Sequence, residues 1–220
     1  MIDPGLKTCA LLLAMLFSFA GAAEELPRIR IGNFTHGDLR GWEEKKFNGS
    51  SQYRIIELEG RKVLMAHSQG GASGLIKKQR IDLQETPYLN WRWRIENRLG
   101  PLPEQQKAGD DYAARVYVIV SGDWAFWRTR AINYVWSGRM HKGDVWQNAF
   151  AGRHAMMIAV RSARDPVASW EKEKRNVRKD LSDVYGEDFR YIDAVALMTD
   201  TDNAGGRATA YYGDIYFSAE

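Results

Sequence analysis

Hydrophobic and polar residues alternate with a period of two along much of this chain. In the stretch "YLNWRWRI", Trp91 and Trp93 fall on one side of a strand, and Arg92 and Arg94 fall on the other. A further stretch, "SQYRIIELEGRKVLMAHS", reads as a hairpin that turns near Glu59-Gly60. The remaining stretches of this kind are "DYAARVYVIV", "RAINYVWSG", "HAMMIAVRSA", "DAVALMTDT" and "RATAYYGDIYF". Seven or more short strands separated by polar turns predict an all-β fold, specifically an antiparallel β-sandwich.

One segment has helical spacing instead. Val177, Leu181 and Val184 recur at intervals of four and three residues, and Gly186 follows as a stop signal. We therefore expect one short helix packed at one end of the sandwich, with Val177 and Leu181 facing the sheets. The charged run "WEKEKRNV" is placed at the start of this helix. There it would carry Glu173 over the sheet or form a solvated helix face.

The N-terminal residues predict export. Lys7 is followed by the apolar run "CALLLAMLFSFA" and the small residues Ala20-Gly21-Ala22, which is the pattern of a cleaved secretory signal peptide. A retained N-terminal anchor is the alternative. We expect residues 1–22 to be the signal and residues 23–220 to form a single domain in the bacterial periplasm. Cleavage would also remove the only cysteine of the chain.

Composition excludes several classes of function. The 31 basic and 28 acidic residues give a net charge of +3, which is a mixed surface and not the basic stripe of a nucleic-acid-binding protein. No second apolar run reaches the length of a transmembrane segment. No dinucleotide fingerprint, phosphate loop, metalloprotease motif or nucleophile elbow is present in the sequence. The sequence does not indicate an oligomeric state.

The stretch "MTDTDNAGGRATAYYGDIYF" holds the one candidate metal site. Asp200, Asp202 and Asn203 offer oxygen ligands, but an EF-hand starting at Asp200 fails at Ala204 and Tyr211. Calcium accepts six to eight oxygens in other geometries, so a structural calcium ion stays open as the only cofactor. The alternative is a polar turn between two strands, since Asp and Asn bond their own backbone and Gly supplies positive φ.

Arginines in two strands form the candidate ligand-binding set. If the strands are neighbours and the faces agree, these side chains line one concave surface that suits an anionic or polyhydroxylated ligand. A solvated face, on which Arg and Asp neutralise each other, is the plainer interpretation. A third is a buried ion-pair network in which Arg115 meets Asp110 or Asp111. The full set is Arg92, Arg94, Asp110, Asp111, Arg115 and Tyr117.

Aromatic residues fall into two groups. Trp91 and Trp93 alternate with arginines and are expected in the core. Trp124, Phe126 and Trp127 lie in "SGDWAFWRTRA", which reads as a loop or hairpin tip where exposed rings would make better platforms for a sugar.

Long stretches of the chain resemble a family of exported bacterial proteins, the domain of unknown function 3047. The stretches are "GASGL", "IDLQETPYLNWRWR", "KAGDDYAARVYV", "INYVW", "WEKEKRNV" and "MTDTDNAGGRATAYYGDIYF". The resemblance brings no activity with it. Its strand pattern is similar to jelly-roll or galactose-binding-like carbohydrate-binding modules, which is an analogy of fold.

Three functions remain open at this point. The leading hypothesis is a non-catalytic protein that binds a glycan or another polar component of the envelope. The second is a polysaccharide-acting enzyme that uses a pair of carboxylates about 5–10 Å apart. The third is an envelope assembly protein that binds another protein. The candidate acids for the enzyme are Asp110, Asp111, Glu173, Asp200 and Asp202.

Overall fold

A computed structural model describes residues 27–122 and 128–220 of the chain. The predicted signal peptide and the loop aromatics Trp124, Phe126 and Trp127 lie outside these described residues.

Within the described ranges the chain forms fourteen strands and one α-helix. The strands of the first sheet are β1 (Arg28–Gly32), β3 (Gln52–Leu58), β4 (Arg61–Gln69), β6 (Tyr88–Ile95), β11 (Glu171–Asn176), β13 (Arg207–Tyr212) and β14 (Ile215–Ser218). The strands of the second sheet are β2 (Trp42–Asn48), β5 (Ala72–Asp82), β7 (Arg115–Val120), β8 (Arg130–Trp136), β9 (Val145–Asn148), β10 (Gly152–Arg161) and β12 (Tyr191–Met198). The helix α1 spans Val177–Tyr185.

The two sheets have different topologies. The first runs in the order β1-β14-β6-β13-β4-β3, and β11 also pairs with β6. The second runs β2-β5-β12-β7-β8-β10-β9. The paired strands are antiparallel with one exception, since β10 lies parallel to β8. This exception follows from the chain path: β9 comes between them in sequence, and β10 returns to insert between β8 and β9.

The core lies between the sheets, and period-two alternation selects the residues that fill it. Trp91 and Trp93 are almost fully buried, as predicted, with ring centroids 5.5 Å apart in an edge-to-face arrangement. Across the sandwich, Tyr134 of β8 approaches Trp91 with centroids 5.4 Å apart. Aromatic pairs at such distances add to the stabilisation from buried area. The all-β sandwich is therefore confirmed.

The helix ends at Gly186, as the sequence indicates, and it begins at Val177. The side chain of Asn176 caps it by accepting from the Lys179 amide at 3.0 Å, and Gly186 ends it with φ of 73°. Val177 and Leu181 are fully buried in the main core, which confirms the predicted docking face.

One prediction for this region is wrong. The segment Glu171–Asn176 is not the start of the helix but the strand β11, paired antiparallel with β6. Its alternation places Glu173 inward, where the carboxylate accepts from the Trp93 indole at 3.3 Å and pairs with Arg161.

The predicted hairpin between β3 and β4 is present. Glu59 and Gly60 have φ of 53° and 72°, the two positive values that a two-residue turn of the I′ type requires. In the ranges 27–122 and 128–220, no helix has the length and apolar character needed to cross a bilayer.

Candidate functional site

A cleft of about 610 Å³ lies on the outer face of the second sheet. Residues from all seven strands of this sheet line the one cleft, so the face is concave. We call it the aromatic-rimmed cleft. Its representatives from β2, β5, β12, β7, β8, β10 and β9 are Phe47, Ala72, Met198, Tyr117, Asn133, Ala155 and Asn148.

Strand alternation brings Tyr117 and Asn133 to the floor of the cleft. They face each other across β7 and β8, while their neighbours Val116 and Val118 point into the core. The Tyr117 hydroxyl lies 3.3 Å from the sulfur of Met198 on β12. Burial raises the pKa of Tyr117, so its hydroxyl stays neutral at ordinary pH.

Asn133 is the unusual polar residue of this floor. It is 1% exposed, and neither its amide oxygen nor its amide nitrogen has a hydrogen-bond partner among the described residues. Buried polar groups in folded proteins are nearly always paired, because an unpaired one keeps its full cost of desolvation. A donor and an acceptor are therefore held unpaired on the lining of the cleft.

Two exposed phenylalanines stand on opposite margins of the cleft. Phe47 on β2 is 61% exposed, and Phe150, in the turn after β9, is 57% exposed. The Phe47 ring lies close to Gly74 of β5, where an added Cβ would be 3.9 Å from the ring. Single exposed apolar side chains are common, but these two line the same cleft, and exposed apolar surface grouped in this way is typical of binding sites.

The Phe150 rim is tied to the rest of the site by Asn148. The side-chain oxygen Oδ1 of Asn148 accepts from the backbone amides of Phe150 and Ala151 at 3.0 and 2.9 Å. Its amide nitrogen donates to both carboxylate oxygens of Asp110 at 3.1 Å. The turn that carries the ring is thus fixed to the loop that precedes β7.

Arg115 is buried between two acids at one end of the cleft. Its Nε donates to Asp200 Oδ1 at 2.9 Å, and a second nitrogen pairs with the other Asp200 oxygen. Its third nitrogen lies 3.5 Å from Asp110 Oδ2. Arg115 is 3% exposed, so the sequence alternative of a buried ion-pair network describes this residue.

Burial and charge act in opposite directions on this pair. Burial raises the pKa of Asp200 to about 7, although Arg115 opposes the shift and Asp110 and Asp111 add to it. Burial alone would lower the pKa of Arg115, but Asp200, Tyr117 and Asp110 together outweigh it and hold that pKa above its usual range. Arg115 is therefore charged at every ordinary pH.

Three carboxylates meet beside this pair. Asp111, Asp200 and Asp202 each place one oxygen within 4.8 Å of the others. Asp111 already accepts from the Asn203 and Ala204 amides at 3.0 and 2.7 Å, which is the hydrogen-bonding expected of a polar turn. The geometry brings the predicted metal residues Asp200, Asp202 and Asn203 together, and calcium binding there stays a prediction.

The predicted single arginine surface is wrong. Arg92 and Arg94 lie on β6 of the first sheet, whereas Arg115 and Tyr117 lie on β7 of the second. The core separates the two faces. Arg94 is occupied by Glu59 and Glu96, each 2.6 Å away. The aromatic-rimmed cleft therefore brings together only part of the predicted set, namely Asp110, Arg115 and Tyr117, with Asp200, Asp202 and Asn203.

Three of the acids proposed for catalysis, Asp110, Asp200 and Asp202, line the cleft. Glu173 belongs to the first sheet and is held by Arg161. Asp110, Asp111 and Asp200 are buried and hydrogen-bonded. Of the five candidates, Asp202 alone is partly exposed.

Among the lining residues of the cleft that sequence reasoning missed, four carry its rims and floor: Phe47, Asn133, Asn148 and Phe150. Phe47 is the only apolar residue in "EEKKFNGS", and Asn133 is the only amide within the apolar strand "AINYVW". Each of these two residues departs from the pattern around it, and such a departure is a sequence signal for a functional position. Asn148 and Phe150 carry no such signal, because their role depends on the fold of the turn.

Comparison of the sequence with family models gives one match. The model described as "Protein of unknown function (DUF3047)" matches residues 40–216. No curated protein matches the sequence.

Comparison with solved structures gives β-sandwich proteins, among them carbohydrate-binding modules. The family 30 module of the cellulosomal cellulase Cel9D-Cel44B of Clostridium thermocellum has a TM-score of 0.50 at 11% identity, covering 89% of this chain and 99% of that one. The cellulose induced protein Cip1 has a TM-score of 0.50 at 9% identity, covering 83% and 93%. A promiscuous carbohydrate-binding module of the β-sandwich superfamily has a TM-score of 0.45 at 14% identity. That match covers 83% of this chain, which spans 59% of the other. At these identities the two matches with a TM-score of 0.50 show the fold alone.

Proposed function

Since the chain belongs to the family described as protein of unknown function (DUF3047), which brings no activity of its own, we propose a function from the site: non-catalytic binding of a glycan in the aromatic-rimmed cleft. The observation that carries this proposal is the unpaired amide of Asn133 on the cleft lining, between the exposed rings of Phe47 and Phe150. Pockets that combine apolar walls with a few fixed polar groups are typical binding sites.

The chemistry of the cleft suits a polyhydroxylated ligand. An amide side chain offers both donors and acceptors, and a sugar hydroxyl donates and accepts in the same way. The ligand would supply the hydrogen bonds that Asn133 lacks once the side chains that cover the amide move aside. The faces of sugar rings also carry C–H groups, which suit the flat apolar surfaces of Phe47 and Phe150.

The shape of the cleft favours a chain over a small molecule. It is open along the outer face and takes lining residues from every strand of the sheet, from β2 at one edge to β9 at the other. A ligand that touches both rims must extend across the strands. We propose an oligosaccharide or polysaccharide lying in that direction.

The structural neighbours and the N-terminal sequence support this assignment. Carbohydrate-binding modules share the fold, and the cellulase module is part of a polysaccharide-degrading enzyme by its name. The N-terminal pattern supports export, so we propose a periplasmic protein whose ligand is a glycan of the envelope.

A glycan array followed by titration calorimetry tests the proposal. We expect the chain expressed from residue 23 to bind an oligosaccharide, and Phe47→Ala and Phe150→Ala each to weaken that binding at least tenfold. Val145→Ala is the matched control, because this residue is also half exposed on β9 but is not part of the cleft.

The same samples separate binding from catalysis. Release of reducing ends from the bound glycan would replace the proposal with the enzyme alternative. Binding that survives both phenylalanine substitutions would remove the cleft from consideration.

A further inference from the structure

A second cleft, of about 530 Å³, lies on the outer face of the first sheet. It is on the opposite side of the sandwich from the aromatic-rimmed cleft. Four of its lining residues are cations: Arg61, Arg92, Lys172 and Lys174. We call it the basic cleft.

The strand register places three of these cations side by side. Lys172 of β11 is directly opposite Arg92 of β6, and Lys174 is opposite Asn90, the next outward residue. Directly opposed side chains lie about 5 Å apart at Cβ, and residues two apart along a strand are separated by about 7 Å. The result is a compact group of positive charges on one face.

The side chain of Arg92 is fixed in place by its neighbours. It lies against the backbone of Gly213, where an added Cβ would be 2.3 Å from Arg92 Nε. Its guanidinium carbon is 4.6 Å from the ring centre of Trp170. The Trp170 indole nitrogen donates to Glu59 Oε2 at 3.2 Å, which holds the ring. A guanidinium stacked on an indole keeps its edge free to donate.

Arg92 has no carboxylate partner among the described residues, and neither do Arg61, Lys172 and Lys174 within 4 Å. By contrast Arg94, two residues further along the same strand, pairs with the carboxylates of Glu59 and Glu96. Burial and the nearby charge of Arg61 both lower the pKa of Arg92. The carboxylates of Asp214 and Glu59 act in the opposite direction on this pKa without pairing with Arg92, so its positive charge is only partly compensated.

The acids that line the basic cleft are engaged elsewhere. Both carboxylate oxygens of Asp214 accept from Thr35, one from the amide at 2.9 Å and one from the hydroxyl at 2.5 Å. Glu173 points inward and pairs with Arg161. Four cations against these two acids leave the cleft with an excess of positive charge.

From this geometry we propose that the basic cleft binds an oxyanion, that is a carboxylate, sulfate or phosphate group, with the Arg92 guanidinium as the forked donor and Lys172 and Lys174 beside it. Arginine gives two parallel hydrogen bonds to such groups, and the lysines add point charges. This site is separate from the glycan site and does not depend on it.

Titration calorimetry at low salt, with two probes, tests the site. Inorganic phosphate reports on a free anion, and polygalacturonate reports on an acidic polymer, with a neutral glucan as the uncharged control. Binding of either anion, or of both, with at least a tenfold loss in Arg92→Gln supports the proposal. Such binding should also weaken as salt is added. Absence of binding by both anions overturns it.

Three further variants serve as controls. Lys179→Gln removes one positive charge from an exposed position on α1, and it should bind both anions like the parent protein. An equal loss in Lys179→Gln and Arg92→Gln would mean non-specific attraction and overturn the site. If Arg92→Gln proves unstable, Lys172→Gln, at an exposed position of β11, should reproduce the loss of binding. Phe47→Ala should leave anion binding unchanged, and a loss there would assign the anion to the other cleft.

Discussion

Arg115 on β7 and Asp200, two residues beyond β12, form a buried ion pair in which the guanidinium meets both carboxylate oxygens. Both side chains are nearly inaccessible to solvent. The pair joins two adjacent strands at the end of the aromatic-rimmed cleft. It therefore stabilises the wall of the cleft, but its charged groups are already paired with each other and are not free to bind a ligand.

Substitution of Arg115 by Ala is expected to destabilise the fold by about 3–5 kcal/mol, because it leaves the Asp200 carboxylate buried without its partner. Urea denaturation measures the change. Arg190→Ala is the control, since its pair with Asp82 is on the surface and its loss should change stability far less. A loss for Arg115→Ala as small as the control's would mean that the buried pair does not stabilise the protein.

Asn133→Leu is expected to raise the melting temperature and to abolish glycan binding. Leucine has a similar size and removes the unpaired amide, whose burial costs about 1–3 kcal/mol. Thermal unfolding and glycan titration on the same preparation test both halves. Asn90→Leu is the matched control, because that amide donates to Tyr88 and Ser218 and its loss should lower stability. A less stable Asn133→Leu protein would show that the amide is paired in solution.

Calcium bound by Asp111, Asp200 and Asp202 would stabilise the folded state by mass action, so the melting temperature should rise with added calcium and fall with EDTA. The pKa of Asp200 is raised to about 7, mainly by burial, so protons compete with the ion below that pH. The calcium-dependent shift should be smaller at pH 6 than at pH 8, and Asp202→Asn should reduce it. A melting curve at pH 8 that responds to neither reagent would leave this corner as a hydrogen-bonded turn.

Leu181→Asp is expected to cost several kcal/mol, because it puts an unpaired charge into the core between α1 and the sheets. Ser182→Asp, at the adjacent exposed position, should change stability by about 0.5 kcal/mol or less. Chemical denaturation of the two variants gives the comparison. Equal stability in both would mean that the helix does not dock.

The sandwich could be predicted because period two assigns each residue to a face of its strand. That alternation alone predicts Trp91 and Trp93 in the core, and Gly186 predicts the end of α1. The same pattern does not say which sheet a strand joins. Arg92 and Arg115 both point outward, as the alternation implies, but they do so on opposite sides of the molecule.

The strand β11 shows a second limit. Its sequence, "EKEKRN", has no apolar residue, since its inward positions hold Glu173 and Arg175, which are neutralised by Arg161 and Asp180. These partners are distant in the chain or lie on the helix, so burial of the charges depends on tertiary pairing. Local pattern alone therefore predicts that this charged run continues the neighbouring helix, whereas its pairing with β6 makes it a strand.

The two rims of the aromatic-rimmed cleft differ in how freely they can change. Phe150 is joined through Asn148 and Asp110 to Arg115, so alterations on that side propagate into the pair that supports the fold. Phe47 lies against Gly74 of β5, and the side chain of its neighbour Asn48 donates to Asp202 at 3.3 Å, which is not a member of the ion pair. Substitutions that change ligand preference, in related sequences or in the laboratory, should therefore be tolerated better on the β2 side. Substitutions on the Phe150 side should more often reduce stability as well.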